Sequence, residues 1–121
     1  MLKRFDHPRL GIEGQNLHQW LFETGLHYFV SEIMETLDID DADEIAKSLS
    51  RTFQVCDTLR ISVSRNFKRV YRYDGHNMIA DWKISSLACY IIVINSNPGN
   101  ERVAKAQLYF AMKMEKVNRK N

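Results

Sequence analysis

At 121 residues, 45% of them hydrophobic and 26% charged, the chain reads as one domain with enough apolar material for a single core. Net charge is only +2, but Leu10 to Ala46 holds nine acids and no Lys or Arg, while Lys47 to Asn121 holds fourteen bases against five acids. Such asymmetry points to contact with a polyanion or to self-association and says little about fold. The start, MLKRFDHPRLGIEG, has no apolar stretch of signal-peptide length, and the longest apolar run, Leu87–Ile94, is far short of the roughly 20 residues that span a bilayer. A cytoplasmic protein without membrane contact is expected.

Residues 1–15, with Pro8, Gly11 and Gly14, read as a loose N-terminus, 16–117 as the domain and 118–121 as a basic tail. In NLHQWLFETGLHYFVSE, Leu17, Trp20 and Leu21 with Phe29, Val30, Ile33 and Leu37 fit a helical face interrupted at Gly25. The same residues also fit two strands, Leu17–Phe22 and Leu26–Val30, joined by Glu23-Thr24-Gly25. Glycine in mid-helix costs about 1 kcal/mol, whereas a three-residue hairpin loop takes it at the left-handed position, so the hairpin is preferred. Ser31 then reads as the N-cap of a short helix ending near Leu37. Asp40-Asp41 caps a second helix, Ala42 to about Gln54, with Ile45, Leu49 and Phe53 toward the core and Lys47, Arg51 and Gln54 outward. Beyond Cys56 the chain reads as irregular until Phe67-KRVYRY, which alternates; Asp74-Gly75-His76-Asn77 is turn chemistry and Met78-IADWKI returns as a strand. Tyr71, Tyr73 and Trp82 on this hairpin read as core or cross-strand pairs ahead of base-stacking groups.

The octet Leu87–Ile94 is eight apolar residues closed by Asn-Ser-Asn-Pro-Gly, and its residues leave helix and strand open. After the turn, Asn100 caps an amphipathic helix with Val103, Ala106, Phe110, Met114 and Val117 on its inner face.

Little of this resembles catalytic machinery. Cys56 and Cys89 lack zinc spacing and read as buried free thiols, and the four histidines are scattered. The acidic run DIDDADE lacks the Gly and terminal Glu of a calcium loop, and helix capping accounts for it. No enzyme, metal or cofactor is expected.

The segment IADWKISSLACYIIVINSNPGNERVAKAQLYFAMK resembles the bacterial DNA-damage-inducible protein D group. The likeness is carried by Ile84-Ser85, Ala88-Cys89-Tyr90, Ile92, Asn95, Pro98, Ala104, Gln107 and Tyr109-Phe110-Ala111, with Cys56, Val63-Ser64 and Asn66-Phe67 upstream. The front, Gly25-LHYFVSEIMETLDID, resembles the BRO-N family of phage and viral regulators, with Tyr28-Phe29-Val30 where that family has Trp-Phe-Val. It departs at Leu37-Asp38-Ile39, where the family usually has Leu-Gly-Tyr. The likeness implies an α+β domain of two β-hairpins and about four helices, with a Leu87–Asn95 helix at the centre.

It also implies a DNA-binding regulatory module of phage or mobile-element type, antirepressor-like or tied to the DNA-damage response. The residues that suit DNA are Lys47, Arg51 and Gln54 on the outward helix face, Arg60, and Arg65, Lys68, Arg69 and Arg72 toward the hairpin, with duplex placed ahead of single strands. An alternative is a protein-interaction module that grips a repressor or recombination protein without touching DNA. Its surface would be Glu32, Glu35, Asp38, Asp40, Asp41, Asp43 and Glu44. Opposite-sign patches also make a homodimer an expectation.

Overall fold

The computed structural model describes residues 16–120, with side chains as far as Met114. The expected loose segment 1–15 and the last residue of the expected basic tail lie outside the described residues. The order is α1 (Leu17–Leu21), β1 (Tyr28–Phe29), α2 (Val30–Thr36), α3 (Ala42–Leu59), α4 (Val63–Asn66), β2 (Phe67–Tyr73), β3 (Met78–Ile84), α5 (Ser86–Ile94) and α6 (Glu101–Lys120). The fold is α+β. Its antiparallel sheet has strand order β1-β3-β2. No helix among the described residues is long and apolar enough to cross a membrane.

The apolar octet is the central helix, α5, packed by α1, α3 and α6. Ala88, Cys89, Ile91, Ile92 and Val93 are buried, while Ile94 is 44% exposed and Leu87 and Tyr90 are half-buried. Polar residues close both ends. The Ser85 hydroxyl accepts from the Ala88 amide (3.1 Å) and donates to Asn66 Oδ1 (2.7 Å). At the other end Asn95 Nδ2 donates to the Ile91 carbonyl, Ser96 Oγ to that of Ile92, and Gln107 Nε2 to those of Val93 and Ser96. A buried helix end whose carbonyls lacked such donors would be costly. Burial pushes the Cys89 thiol up to about 12 and raises that of Cys56, so both thiols are protonated at neutral pH.

The expected first hairpin is absent. Leu17–Leu21 is helical, capped by the Asn16 side chain on the Gln19 amide (2.7 Å), and buries Leu17 and Trp20. Trp20 stacks on Phe110, 5.7 Å between ring centres, and donates to the Tyr28 hydroxyl (2.8 Å). Tyr28 and Phe29 pair instead with Ile84 and Lys83 of β3. The i, i+3, i+4 spacing of Leu17, Trp20 and Leu21 outweighs β propensity once α6 offers a surface. Gly25, at φ +95°, lies in the connecting loop. Nor is the stretch after Cys56 irregular: α3 continues to Leu59, and Ser62 caps α4 on the Arg65 amide.

On α3 the buried residues are Ser48, Thr52 and Cys56, while Ile45, Leu49 and Phe53 are only half-buried. Small side chains let α3 approach α5 closely, with Ser48 and Ser96 hydroxyls 3.1 Å apart and Thr52 donating to the Ser48 carbonyl. The neighbouring aliphatic stripe serves a second surface, described below.

Ser31 is not an N-cap either. The cap position is Phe29, which supplies no side-chain bond, and the N-terminus of α2 is closed from across the sheet. Asp81, buried on β3, accepts from the Ser31 amide (3.2 Å), the Ser31 hydroxyl (2.5 Å), its neighbour Trp82's amide (2.7 Å) and Arg72 (3.2 Å). Burial alone would raise the Asp81 pKa, but these donors outweigh it and hold the carboxyl below its ordinary range. A depressed folded pKa gives stability that is present above the unfolded value of about 3.9 and lost as pH falls through the folded one. Asp81→Asn is expected to cost about 2–3 kcal/mol at pH 7. In urea titrations from pH 7 to pH 2, the gap between wild type and variant should shrink below about pH 4.

α2 ends with Asp38 in the left-handed conformation, φ +57°, and the Ile39 amide donates back to the Met34 carbonyl (2.8 Å). A glycine takes this position without strain, and a carboxylate there also meets the negative end of the helix. Asp38→Gly is expected to raise stability by about 0.5–1 kcal/mol, read as a higher urea midpoint at unchanged slope.

Candidate nucleic-acid interface

The β2–β3 hairpin is pinned at both ends. At its base, Phe67 and Ile84 are paired and buried, and Trp82 packs its edge on Phe53 and Phe67. At its tip, Asp74 Oδ1 accepts from the His76 and Asn77 amides, 2.8 Å each, while Gly75 takes φ +101°. Those backbone bonds lower the Asp74 pKa. Between these anchors the ribbon leaves the body of the protein: Tyr71 and Tyr73 are each 66% exposed, and Met78, Ile79 and Ala80 are exposed as well. Of the expected core or cross-strand roles, the tyrosines take the cross-strand one, Tyr71 opposite Ala80 and Tyr73 opposite Met78, and not the core one, because no described element packs over this outer half. Trp82 alone of the three rings is half-buried.

The hairpin register decides which cations share a face. Lys68 lies directly opposite Lys83, and Arg72 follows on the same side as Lys68. Phe29 of β1, paired with Lys83, lies under this group: the Arg72 guanidinium sits 3.8 Å from its ring centre and Lys83 Nζ 5.9 Å. Arg72 is held by Asp81 and by the Ser31 hydroxyl (3.2 Å). Lys68 and Lys83 have no acid partner among the described residues. The two acids of the hairpin are already committed, Asp81 to α2 and Asp74 to the turn. Arg69 points to the other face and lies 4.8 Å above Trp82.

The eight residues expected to touch DNA thus divide. Arg65, Lys68, Arg69 and Arg72 gather on and beside the hairpin. Lys47, Arg51 and Gln54 are exposed on α3, but Arg51 donates to the Asn95 carbonyl (3.3 Å) and Lys47 stands 4.0 Å from Glu44. Arg51 precedes Phe53 by two residues, about 200° around the helix. Since Phe53 faces Trp82, Arg51 points to the flank away from the hairpin. One continuous surface of helix and hairpin is not formed. Arg60 ends α3 at φ +57°, exposed, at the turn between the two groups.

Lys83 was missed because the basic run in the sequence stops at Arg72. Counting outward from the Asp74–Asn77 turn pairs Tyr73 with Met78 and hence Lys68 with Lys83, so the signal was there. The acids divide too. Glu35, Asp38 and Asp40 line a cleft, Asp41 caps α3 on the Asp43 amide (2.8 Å), and Glu32 and Asp43 are exposed.

Against models of known families, curated proteins and solved structures, the chain has no match. The likeness to BRO-N and damage-inducible proteins therefore stands on the quoted residues alone.

Like charges facing each other across strands destabilise a sheet. Replacing the pair, Lys68→Gln with Lys83→Gln, is expected to raise stability by roughly 0.2–1 kcal/mol, with the gain shrinking in 1 M salt as screening removes the repulsion.

Proposed function

We propose that this protein is a DNA-binding regulatory module whose projecting β2–β3 ribbon enters a groove of duplex DNA. The observation that carries the reading is the uncompensated facing pair Lys68 and Lys83 on a ribbon whose two acids are both occupied. An arrangement that costs the free protein stability is relieved when phosphates lie between the ammonium groups. A two-stranded ribbon fits the major groove of B-DNA, about 12 Å wide. Lys68 and Lys83 reach phosphates from one face and Arg65 from the base, while Arg69 on the other face is stacked on Trp82 beside the cleft. Arg72 is a positioning residue, held by Asp81 and stacked on Phe29. Tyr71 and Tyr73 are exposed at the outer end, the Tyr73 hydroxyl donating to the Gly75 carbonyl (3.0 Å), and their rings can contact sugar or base. The regulatory part of the reading is supported by the likeness to phage regulators and damage-inducible proteins noted above.

Fluorescence anisotropy on a labelled duplex across a salt series tests this. Three phosphates neutralised by Arg65, Lys68 and Lys83 give an expected log–log slope of about −2.7. Lys68→Gln with Lys83→Gln should weaken binding at least tenfold, whereas Lys47→Gln with Arg51→Gln should change it less than twofold. Salt-insensitive or undetectable binding overturns the proposal. Tighter binding to single strands, lost in Tyr71→Ala with Tyr73→Ala, overturns its duplex part.

A further inference from the structure

We infer that the cleft between α2, the start of α3 and the inner side of the hairpin is a docking groove for a basic amphipathic segment of a partner protein. The cleft measures about 550 Å³, within the range of sites that enclose large side chains. Its walls are Val30 and Met34 of α2, Ile45 and Leu49 of α3, and Trp82 of β3. The division of labour on α3 is what sets this cleft apart. Ser48 and Thr52, at 2% and 0% exposure, fill the core contact, while the larger aliphatics Ile45 and Leu49 are left half-covered beside it. Buried small polar residues next to uncovered aliphatic ones reverse the usual distribution, and this is the informative kind of exception.

Charge selects the occupant. Glu35, Asp38 and Asp40 line the cleft, and none has an ion-pair partner among the described residues. An adjoining recess of about 140 Å³ shares Asp38 and Asp40 and adds Asp41 and Glu44. Among the described residues the one cation lining the cleft is Arg69, and it is stacked on Trp82. An apolar floor under unpaired carboxylates fits aliphatic or aromatic anchors flanked by Lys and Arg, as an amphipathic helix laid in a groove presents them. The same carboxylates repel phosphate, so this surface works independently of the outer face of the hairpin, where Lys68 and Lys83 stand.

The probe is a fluorescein-labelled 16-residue peptide of Leu, Trp and Lys at helical spacing, compared with a counterpart carrying Glu for Lys. The full-length protein is expected to bind the basic peptide at least tenfold more tightly than the acidic one. Asp38→Gly with Asp40→Asn should weaken it at least fivefold, and Leu49→Ser likewise. Asp38→Gly is expected to fold at least as well as wild type, so loss of binding there is not unfolding. Lys68→Gln with Lys83→Gln, expected to weaken DNA binding at least tenfold, should leave peptide affinity within twofold. Equal binding of the two peptides, or indifference to Leu49→Ser, overturns the groove. A concentration-dependent dimer in sedimentation that these cleft variants abolish overturns the choice of occupant and assigns the groove to a second copy of the chain.

Discussion

A nine-residue helix without a charged side chain has to be surrounded, and that requirement organises this molecule. α5 carries Ala88, Cys89, Ile91, Ile92 and Val93 into the interior, and α1, α3 and α6 close around it. Hydrophobic burial drives the enclosure, but it also strips water from the last carbonyls of the helix. Asn95, Ser96 and Gln107 are the donors that make so short a buried helix tolerable. Ser85 does the same at the start and, through Asn66, ties the helix to the base of the hairpin. Position at the centre and polarity at the ends are two sides of one solvation problem.

The hairpin is governed by a different force. Asp81 gathers the N-terminus of α2, the Ser31 hydroxyl and Arg72, and so fixes how the ribbon leaves the core. Having spent its charge inside, it cannot neutralise the lysines outside. The outer ribbon therefore carries cations on both faces with its acids occupied. Its exposed Tyr71 and Tyr73 share a face with Arg69, and its facing lysines lie on the other.

α3 separates the two candidate surfaces. Its Ser48–Thr52–Cys56 stripe meets α5, its Ile45–Leu49–Phe53 stripe meets the cleft and Trp82, and its Lys47–Arg51 side faces away from the hairpin. Lys68, Lys83 and Arg72 thus lie on the hairpin face opposite Arg69, which lines the acidic cleft. Lys47–Glu44 and Lys105–Glu101 pair within their own helices and Asp81 pairs with Arg72, while Glu35, Asp38 and Asp40 along the cleft have no ion-pair partner among the described residues.

Much of this was readable along the chain. The hairpin from Phe67 to Ile84, the Asp41 cap and the long last helix follow from local chemistry: alternation, turn residues and helical spacing act over a few positions, whereas the α+β class was implied by the family likeness. Other features were decided between residues far apart, where local pattern was ambiguous or silent. Tyr28 and Phe29 pair with Ile84 and Lys83, 56 and 54 residues on, instead of with a local partner, and α1 became a helix because Phe110 offered Trp20 a surface. Ser31 lost its capping role to Asp81 across a gap of 50 positions. For the octet, apolar run length alone left strand and helix equal, and enclosure by three helices decided between them. Composition along the chain determined which side chains were available and the sign of each block. Only folding decided which cations share a face and which aliphatics stay uncovered, since those depend on register and on packing partners that lie far away in the sequence.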